Sequence, residues 1–467
     1  MLMQLSWNLT ASMLVLRNET VSHWIRSSKI RSQFVWLIVV AACWAQSCGS
    51  VLGNETASIR SPRLKALSAA VEAGDTTKVG EFWSEIKEKR APLVEAIEGT
   101  QAGNVPNDVW LTFLWQGDDS TGNVVLAGGV PMGHPYDNRF SLLPGTNVWY
   151  LTMRMRNDLR ATYYLSVNDP LTPPDFSDAK AMKERASRLK RDPLNPGSQL
   201  SGSLVELAQA PPQPWTKSRP DVPAGTLHAE KFHSSLLDND RPVTIYRPPS
   251  YDPTGDAYPL LIVFDLEAYT FLVPTPTILN NLIQEREIPP TVALFVGNAK
   301  DARDKELPCN EQFARFLAEE LLPKVRAEHH VATDPRRVAV AGSSHGGLAA
   351  AFFAFQYPEL AGNVLSQSGS YWWAPGVEYG QGDPALEGEW LIRQYAIAPR
   401  KEIRFFLEVG LRETVRIENR HFRDVLRAKG YDVVGYSEYN GGHDYLNWRG
   451  SLADGLITLL GTPVAKP

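Results

Sequence analysis

Hydrophobic and polar positions change period three times along this chain. Leu64, Leu67, Ala70 and Val71 recur at helical spacing. Gly74-Asp75 interrupts them, and Val79, Phe82, Trp83 and Ile86 resume the pattern, so residues 61–99 are expected as two helices. From residue 105 the period shortens to that of strands. Residues 109–115 are strand-like and are followed by the turn cluster Gly117-Asp118-Asp119-Ser120-Thr121-Gly122. Residues 124–126, 140–143, 148–155 and 162–167 add further short strands, which together predict a small all-β sandwich. Trp110, Trp115, Trp149 and Tyr150 are expected in its core. Residues 168–223 are rich in Pro, Asp, Lys and Arg and predict an ordered loop plus a Pro-rich linker.

After residue 225 the pattern becomes α/β. A hairpin is expected to pair residues 226–233 with 243–246. The apolar runs at 258–265 and 291–296 suit strands buried on both faces. A helix follows over 310–327, with Phe313, Phe316, Leu317, Leu321 and Val325 on one side. Strands are then predicted at 338–342, 362–366, 403–409 and 433–439, with helices at 346–355, 415–429 and 448–460. This alternation predicts a doubly wound, mostly parallel sheet with helices on both faces. Catalytic groups are expected at the carboxyl ends of its strands.

Composition narrows the picture only slightly. The chain has 467 residues, 43% hydrophobic and 21% charged, and a net charge of −5. That is an ordinary globular balance and argues against a nucleic-acid partner. Cys43, Cys48 and Cys309 form neither a disulfide framework nor a zinc pattern. No metal and no cofactor is expected. At the N-terminus, Arg26, Lys29 and Arg31 precede an apolar run over 34–43 that is too short to span a bilayer. This predicts export, to the periplasm or beyond the cell. Cleavage after Ala45 and lipidation of Cys43 in a lipoprotein-type box both fit the pattern, as does an uncleaved anchor. Translation from an internal methionine such as Met13 would shorten the long segment before Arg26. The expected organisation is therefore a leader (1–50), a helical lead-in (51–100), the sandwich and its linker (101–215) and the α/β domain (225–467), with no transmembrane domain in the mature chain.

Candidate chemistry concentrates at Gly342-Ser343-Ser344-His345-Gly346, which fits G-x-S-x-G between a predicted strand and helix. In that context it is a nucleophile elbow: small flanks let the turn close while the central hydroxyl stands above the sheet. Ser344 is the candidate nucleophile, and the backbone amide of His345 a candidate oxyanion donor. A serine hydroxyl needs an adjacent base. Beyond the turn only His421 and His443 follow. His421 lies mid-helix between Arg420 and Arg423 and reads as surface. His443, in Asn440-Gly441-Gly442-His443-Asp444-Tyr445, follows the last strand and is the candidate base. Glu413, in the loop after the preceding strand, is the candidate acid that orients it. Glu408 lies inside the strand, and Asp444 is too near His443 in sequence. The amide of Leu266, after an early strand, is the candidate second oxyanion donor.

Several strings carry a family likeness. Gly342 to Gly347, Leu365-Ser366-Gln367-Ser368-Gly369-Ser370-Tyr371-Trp372-Trp373, Glu306-Leu307-Pro308-Cys309-Asn310, Gly410-Leu411-Arg412-Glu413 and Gly441 to Gly450 resemble the enterochelin (enterobactin) esterases. Gly145 to Trp149 and Arg191 to Pro196 resemble their N-terminal domain, so the likeness runs from about residue 83 to the end. It implies an α/β-hydrolase domain behind an early-set, Ig-like sandwich. It also implies hydrolysis of the trilactone of a catecholate siderophore, with iron belonging to the substrate. By position, Ser344, His443 and Glu413 fall on the family's nucleophile, base and acid. A ferric tris-catecholate is a trianion, so cations and aromatic faces are expected around it. Arg412, Arg449, Trp372, Trp373, Tyr445 and Trp448 are the candidates. The family pattern has Phe where His345 stands, and Asp-Gly where Asp265-Leu266 stands. Two other readings remain open: an exported feruloyl or acetyl carbohydrate esterase, and a non-catalytic siderophore- or glycan-binding protein.

Overall fold

A computed structural model describes residues 59–97, 107–132, 135–172, 178–195, 202–377 and 387–461. The predicted leader, with Cys43 and its apolar run, lies outside the described residues. Among those described, no helix is long and apolar enough to cross a membrane.

The chain opens with a helical hairpin, α1 (Pro62–Glu72) and α2 (Thr77–Lys89). Ser61 accepts the Leu64 amide and so caps α1, while Pro62 occupies a first-turn position where its missing N–H costs nothing. Leu64, Leu67, Phe82, Trp83 and Ile86 turn inward against Leu114, Val148 and Tyr150 of the sandwich.

The sandwich has two antiparallel sheets. One runs β1-β2-β5-β4 and contains β1 (Leu93–Ala96), β2 (Asp108–Gln116), β4 (Ser141–Leu142) and β5 (Val148–Arg156). The other contains β3 (Val124–Gly128), β6 (Arg160–Val167), β7 (Leu189–Lys190) and β8 (Ser203–Glu206); β6 pairs with the other three. Phe113, Leu126, Tyr163 and Leu165 fill the space between the sheets.

Two expectations fail in this region. Residues 93–96 were expected to be helical, but they pair with residues 109–112 of β2, which satisfies their backbone from outside the segment. The stretch 168–223 was expected to be loop and linker, but it contains α3 (Ala179–Arg188) as well as β7 and β8. Asp178 caps α3 by accepting the amides of Lys180 and Ala181. The two strands are ordered by β6, a partner that local composition does not reveal.

The second half is built on an eight-stranded sheet in the order β16-β15-β14-β13-β11-β12-β10-β9. Strands β9 (Thr226–Ser234) and β10 (Asn239–Arg247) form the antiparallel edge hairpin. The parallel strands are β11 (Leu260–Phe264), β12 (Val292–Val296), β13 (Val338–Ser343), β14 (Asn363–Gln367), β15 (Arg404–Gly410) and β16 (Asp432–Tyr439). Strands β11 to β14 are buried along their whole length, as expected of runs covered by helices on both faces. The covering helices, in chain order, are α4 (Leu266–Phe271), α5 (Thr275–Gln284), α6 (Arg303–Glu306), α7 (Glu311–Arg315), α8 (Leu322–Glu328), α9 (His345–Gln356), α10 (Trp390–Ile397), α11 (Arg416–Ala428) and α12 (Tyr445–Leu460).

The helix expected over 310–327 is present and continuous from 311 to 328, with one change of pitch. A wider helical stretch, Phe316–Leu321, joins α7 to α8, and Pro323 stands in the first turn of α8. One apolar core fills the face under α7 to α11 and a second the face under α5 and α12. The chain moves from β11 to β12 on one side and then returns to place β13 on the other side of β11. That reversal opens a crevice at the carboxyl ends of β11 and β13.

Candidate active site

The turn between β13 and α9 carries Ser344 at that crevice. Its backbone is strained, with φ 57° and ψ −123°. A Cβ on Gly342 would lie 2.6 Å from the carbonyl carbon of Gly346, so no side chain fits there and the turn can close. Ser344 N–H donates to the Gln367 carbonyl (2.9 Å), and the Ser344 carbonyl accepts from Ser370 N–H (3.0 Å). The Ser344 and Ser370 hydroxyls are 3.2 Å apart. His345 opens α9, so its amide is in the helical turn that lacks internal acceptors. Leu266 opens α4 in the same way, after Asp265 in a left-handed conformation (φ 58°). The two helix starts are neighbours: a Cβ on Gly346 would lie 3.4 Å from Asp265 Oδ2.

His443 sits in the loop between β16 and α12. Its Nδ1 is 2.6 Å from Glu413 Oε2, and the two side chains are 3% and 0% exposed. The other oxygen of Glu413 accepts three hydrogen bonds: from Gly410 N–H (2.6 Å), Ser368 Oγ (2.7 Å) and the Tyr439 hydroxyl (2.7 Å). The carboxylate is thus fixed from three directions, one oxygen being left for the imidazole. Trp448 stands edge-on to the His443 ring, centroids 4.7 Å apart, and donates its Nε1–H to Ser368 Oγ (3.1 Å).

Strand β16 is three strands from β13, so the His443 loop must come back across the sheet to meet the elbow. The start of α12 makes that return. Its Trp448 carbonyl accepts from Gln367 Nε2 at the end of β14 (2.8 Å). Ser368-Gly369-Ser370 then links the two halves of the site, Ser368 touching Glu413 and Ser370 touching Ser344. Neither serine was assigned a role from the sequence, although both lie in the Leu365 to Trp373 string that carried the family likeness.

A buried charged pair lies beside the elbow. Arg303 holds Asp265 in a two-pronged pair, Nε to Oδ1 at 2.7 Å and NH2 to Oδ2 at 2.8 Å, and Asn298 donates to Oδ1 (2.8 Å). His345 Nδ1 lies 3.1 Å from Asp304 Oδ1, and its ring is 5.9 Å from that of Trp372. Burial pushes the His345 imidazole below its ordinary range, against the opposing hydrogen bond to Asp304. Two further carboxyls are pushed upward by burial: Glu408 to about 8 and Asp444 to about 6.

Of the six side chains expected to meet substrate, two are sealed in the core and two are half-buried and engaged by the sandwich or linker. Trp448 is 1% and Tyr445 5% exposed, because helix α12 turns both into the core; Tyr445 packs edge-on against Tyr269 and Trp448. Arg412 donates to the Val130 carbonyl in the sandwich and contacts the Met155 sulfur (3.7 Å). Arg449 donates to Gln213 Oε1 in the linker (2.7 Å). Both guanidinium groups are engaged where the sandwich side of the chain docks. Trp373 packs edge-on against Trp390, and Trp372 is half-buried beside His345.

Comparison with known proteins follows the same division of the chain. The Esterase family model matches residues 234–459, and the model described as "Enterochelin esterase, N-terminal" matches residues 110–216. The iron(III) enterobactin esterase of Dickeya dadantii is 32% identical over 415 residues, covering 81% of this chain and 92% of the relative. The iron(III) salmochelin esterase of Escherichia coli O6:H1 is 28% identical, covering 85% and 98%. Among solved structures, the enterobactin esterase of Shigella flexneri in the presence of enterobactin superposes with a TM-score of 0.61 at 27% identity, covering 80% of this chain and 97% of that one. The chain belongs to the iron(III) enterobactin esterase family, α/β-hydrolase-fold carboxylic ester hydrolases carrying an N-terminal sandwich.

Proposed function

We propose that this chain is a serine esterase that opens the trilactone of an enterobactin-like catecholate siderophore, with iron travelling as part of the substrate. Relatives named as iron(III) enterobactin and salmochelin esterases, similar across both domains, support the substrate class. The observation that carries the mechanism is the buried His443–Glu413 pair, joined through Ser368-Gly369-Ser370 to Ser344.

In this reading Glu413 keeps a proton on His443 Nδ1 and leaves the Nε2 lone pair to act as base. Ser344 Oγ attacks the ester carbonyl while its proton passes to His443. The amides of His345 and Leu266 receive the negative charge that forms on the carbonyl oxygen. The imidazolium then protonates the departing alkoxide, which leaves as the alcohol. Water repeats the sequence and frees the acyl group from Ser344.

Turnover of ferric enterobactin, compared with methyl ferulate and acetylated xylan, tests the substrate. Faster hydrolysis of either carbohydrate-type ester would overturn the siderophore reading. Fluorophosphonate labelling that is lost in Ser344→Ala tests the nucleophile; an unlabelled wild type would point to a binding protein.

Export belongs to the same proposal, supported by Arg26, Lys29 and Arg31 ahead of the apolar run at 34–43. Cell fractionation with mass analysis of the mature N-terminus distinguishes cleavage after Ala45 from lipidation at Cys43. An unprocessed cytoplasmic protein would count against both.

A further inference from the structure

The loop that carries His443 is held from outside its own domain. Arg160 N–H, at the start of β6, donates to the Asn440 carbonyl (3.1 Å). The Asn440 side chain returns to the sandwich, donating to the Arg156 carbonyl (3.1 Å) and to Asp158 Oδ1 (2.9 Å). Two residues farther along β6, Thr162 N–H donates to Asp444 Oδ2 (3.2 Å). Asn447 Nδ2 donates to the Arg160 carbonyl (2.9 Å). Between these anchors the two backbones touch: a Cβ on Gly442 would lie 2.4 Å from Gly129 Cα. His443 therefore lies between two residues, Gly442 and Asp444, that each rest on the sandwich.

We propose that the β5–β6 turn and the start of β6 position His443, with Asn440 and Asp444 as positioning residues, so that the sandwich is a working part of the catalytic centre. This rests on the reading of His443 as the base. The physical argument is reach. A base must come within hydrogen-bond distance of the hydroxyl it deprotonates, and a loop with Gly441-Gly442 in it has little stiffness of its own. Glu413 fixes one ring nitrogen and Arg412 N–H holds the Gly441 carbonyl (3.1 Å), while on the sandwich side the residues flanking the ring rest on β6. A displacement of about 1 Å at a reacting group can cost on the order of 100-fold in rate.

The test uses the full chain and residues of the sandwich that are remote from the chemistry. Asp158→Ala removes one of the two acceptors of the Asn440 side chain together with the Arg156–Asp158 ion pair (2.7 Å), Asp158→Asn keeps an oxygen there, and Gly129→Ala adds a methyl 3.0 Å from Asp444 Oδ2 and 3.4 Å from Gly442 Cα. Asp158→Ala and Gly129→Ala are expected to lower kcat on the order of 10- to 100-fold. Their KM and melting temperature should stay near wild type, and fluorophosphonate labelling of Ser344 should slow in parallel. Asp158→Asn should recover most of the rate. Wild-type kcat in both Asp158→Ala and Gly129→Ala would overturn the proposal, as would a loss that follows melting temperature alone. Ser344→Ala and His443→Ala run beside them as controls. If those two retain activity, the assignment of nucleophile and base fails; if they are inactive while the sandwich variants are normal, only the positioning role fails.

Discussion

Glu413 Oε2 lies 2.6 Å from His443 Nδ1, and its partner oxygen accepts three hydrogen bonds from Gly410, Ser368 and Tyr439. With those contacts in place the carboxylate has little freedom to turn, so it dictates which imidazole nitrogen carries the proton. Glu413→Gln is close in shape, but its amide can present N–H to Nδ1 and favour the wrong tautomer. Steady-state kinetics should show kcat reduced on the order of 10²- to 10⁴-fold with KM little changed. A variant with near-normal kcat would remove Glu413 from the mechanism.

Trp448 is expected to act through packing. It is 1% exposed, its ring edge-on to His443 and its Nε1–H given to Ser368. Trp448→Ala should lose about 3–5 kcal/mol of stability in denaturant unfolding. Trp448→Phe keeps a ring but drops the hydrogen bond to Ser368, and should lose about 1–3 kcal/mol. A stable Trp448→Ala protein whose defect lay only in KM would restore the residue as a substrate platform.

Glu408 gives stability a pH dependence. It lies inside β15, accepts from Gln367 Nε2 (3.1 Å) and the Ser451 hydroxyl, and burial raises it from 4.5 to about 8. Between those two values the folded protein holds a proton that the unfolded chain has released. Stability therefore falls as pH rises through that window and levels off above it. Glu408→Gln imitates the protonated acid and should flatten this slope. Thermal melts at pH 5 and pH 9 should show the variant gaining on wild type by on the order of a few kcal/mol at the higher pH. Parallel curves for the two proteins would contradict the assignment.

Asp265 and Arg303 form a nearly sealed ion pair below the proposed oxyanion loop, with side chains 5% and 11% exposed. Asp265→Ala would leave the buried guanidinium only its longer contact with the exposed Asp304 (3.3 Å) and should cost about 2–4 kcal/mol. Replacing both partners, as Asp265→Asn with Arg303→Met, should recover much of that loss, because neither charge then remains to be desolvated and Asn tolerates the left-handed backbone at this position. If the double variant proved as unstable as the single one, the pair would contribute through packing and not through charge.

The legible parts of this protein were those decided locally. The elbow could be read because its requirements lie within a few residues: an apolar strand, glycines where a side chain would collide, a serine, and a helix of small residues. Glu413 and His443 could be nominated because the parallel sheet puts the ends of successive strands on one edge. The misreadings fall where the deciding partner is far away in sequence. Residues 93–96 became a strand because β2 was there to pair with them, and β7 and β8 were hidden in a Pro-rich stretch for the same reason.

By itself, then, the sequence determined the alternation of strands and helices, the strained turn at Ser344 and the chain order of serine, acid and histidine, all consequences of short-range sterics and hydrophobic period. Only the tertiary structure decided what each polar or aromatic group faces. Arg412 and Arg449 have the composition of an anion site and each donates to a group of the sandwich or linker, while Trp448 and Tyr445 have the composition of an aromatic platform but are sealed in the core. Burial and partnership depend on surfaces that meet only after residues some 280 positions apart, such as Thr162 and Asp444, have come into contact. No local pattern encodes such a contact, because the free energy that selects it comes from excluding water between elements that the chain has not yet brought together.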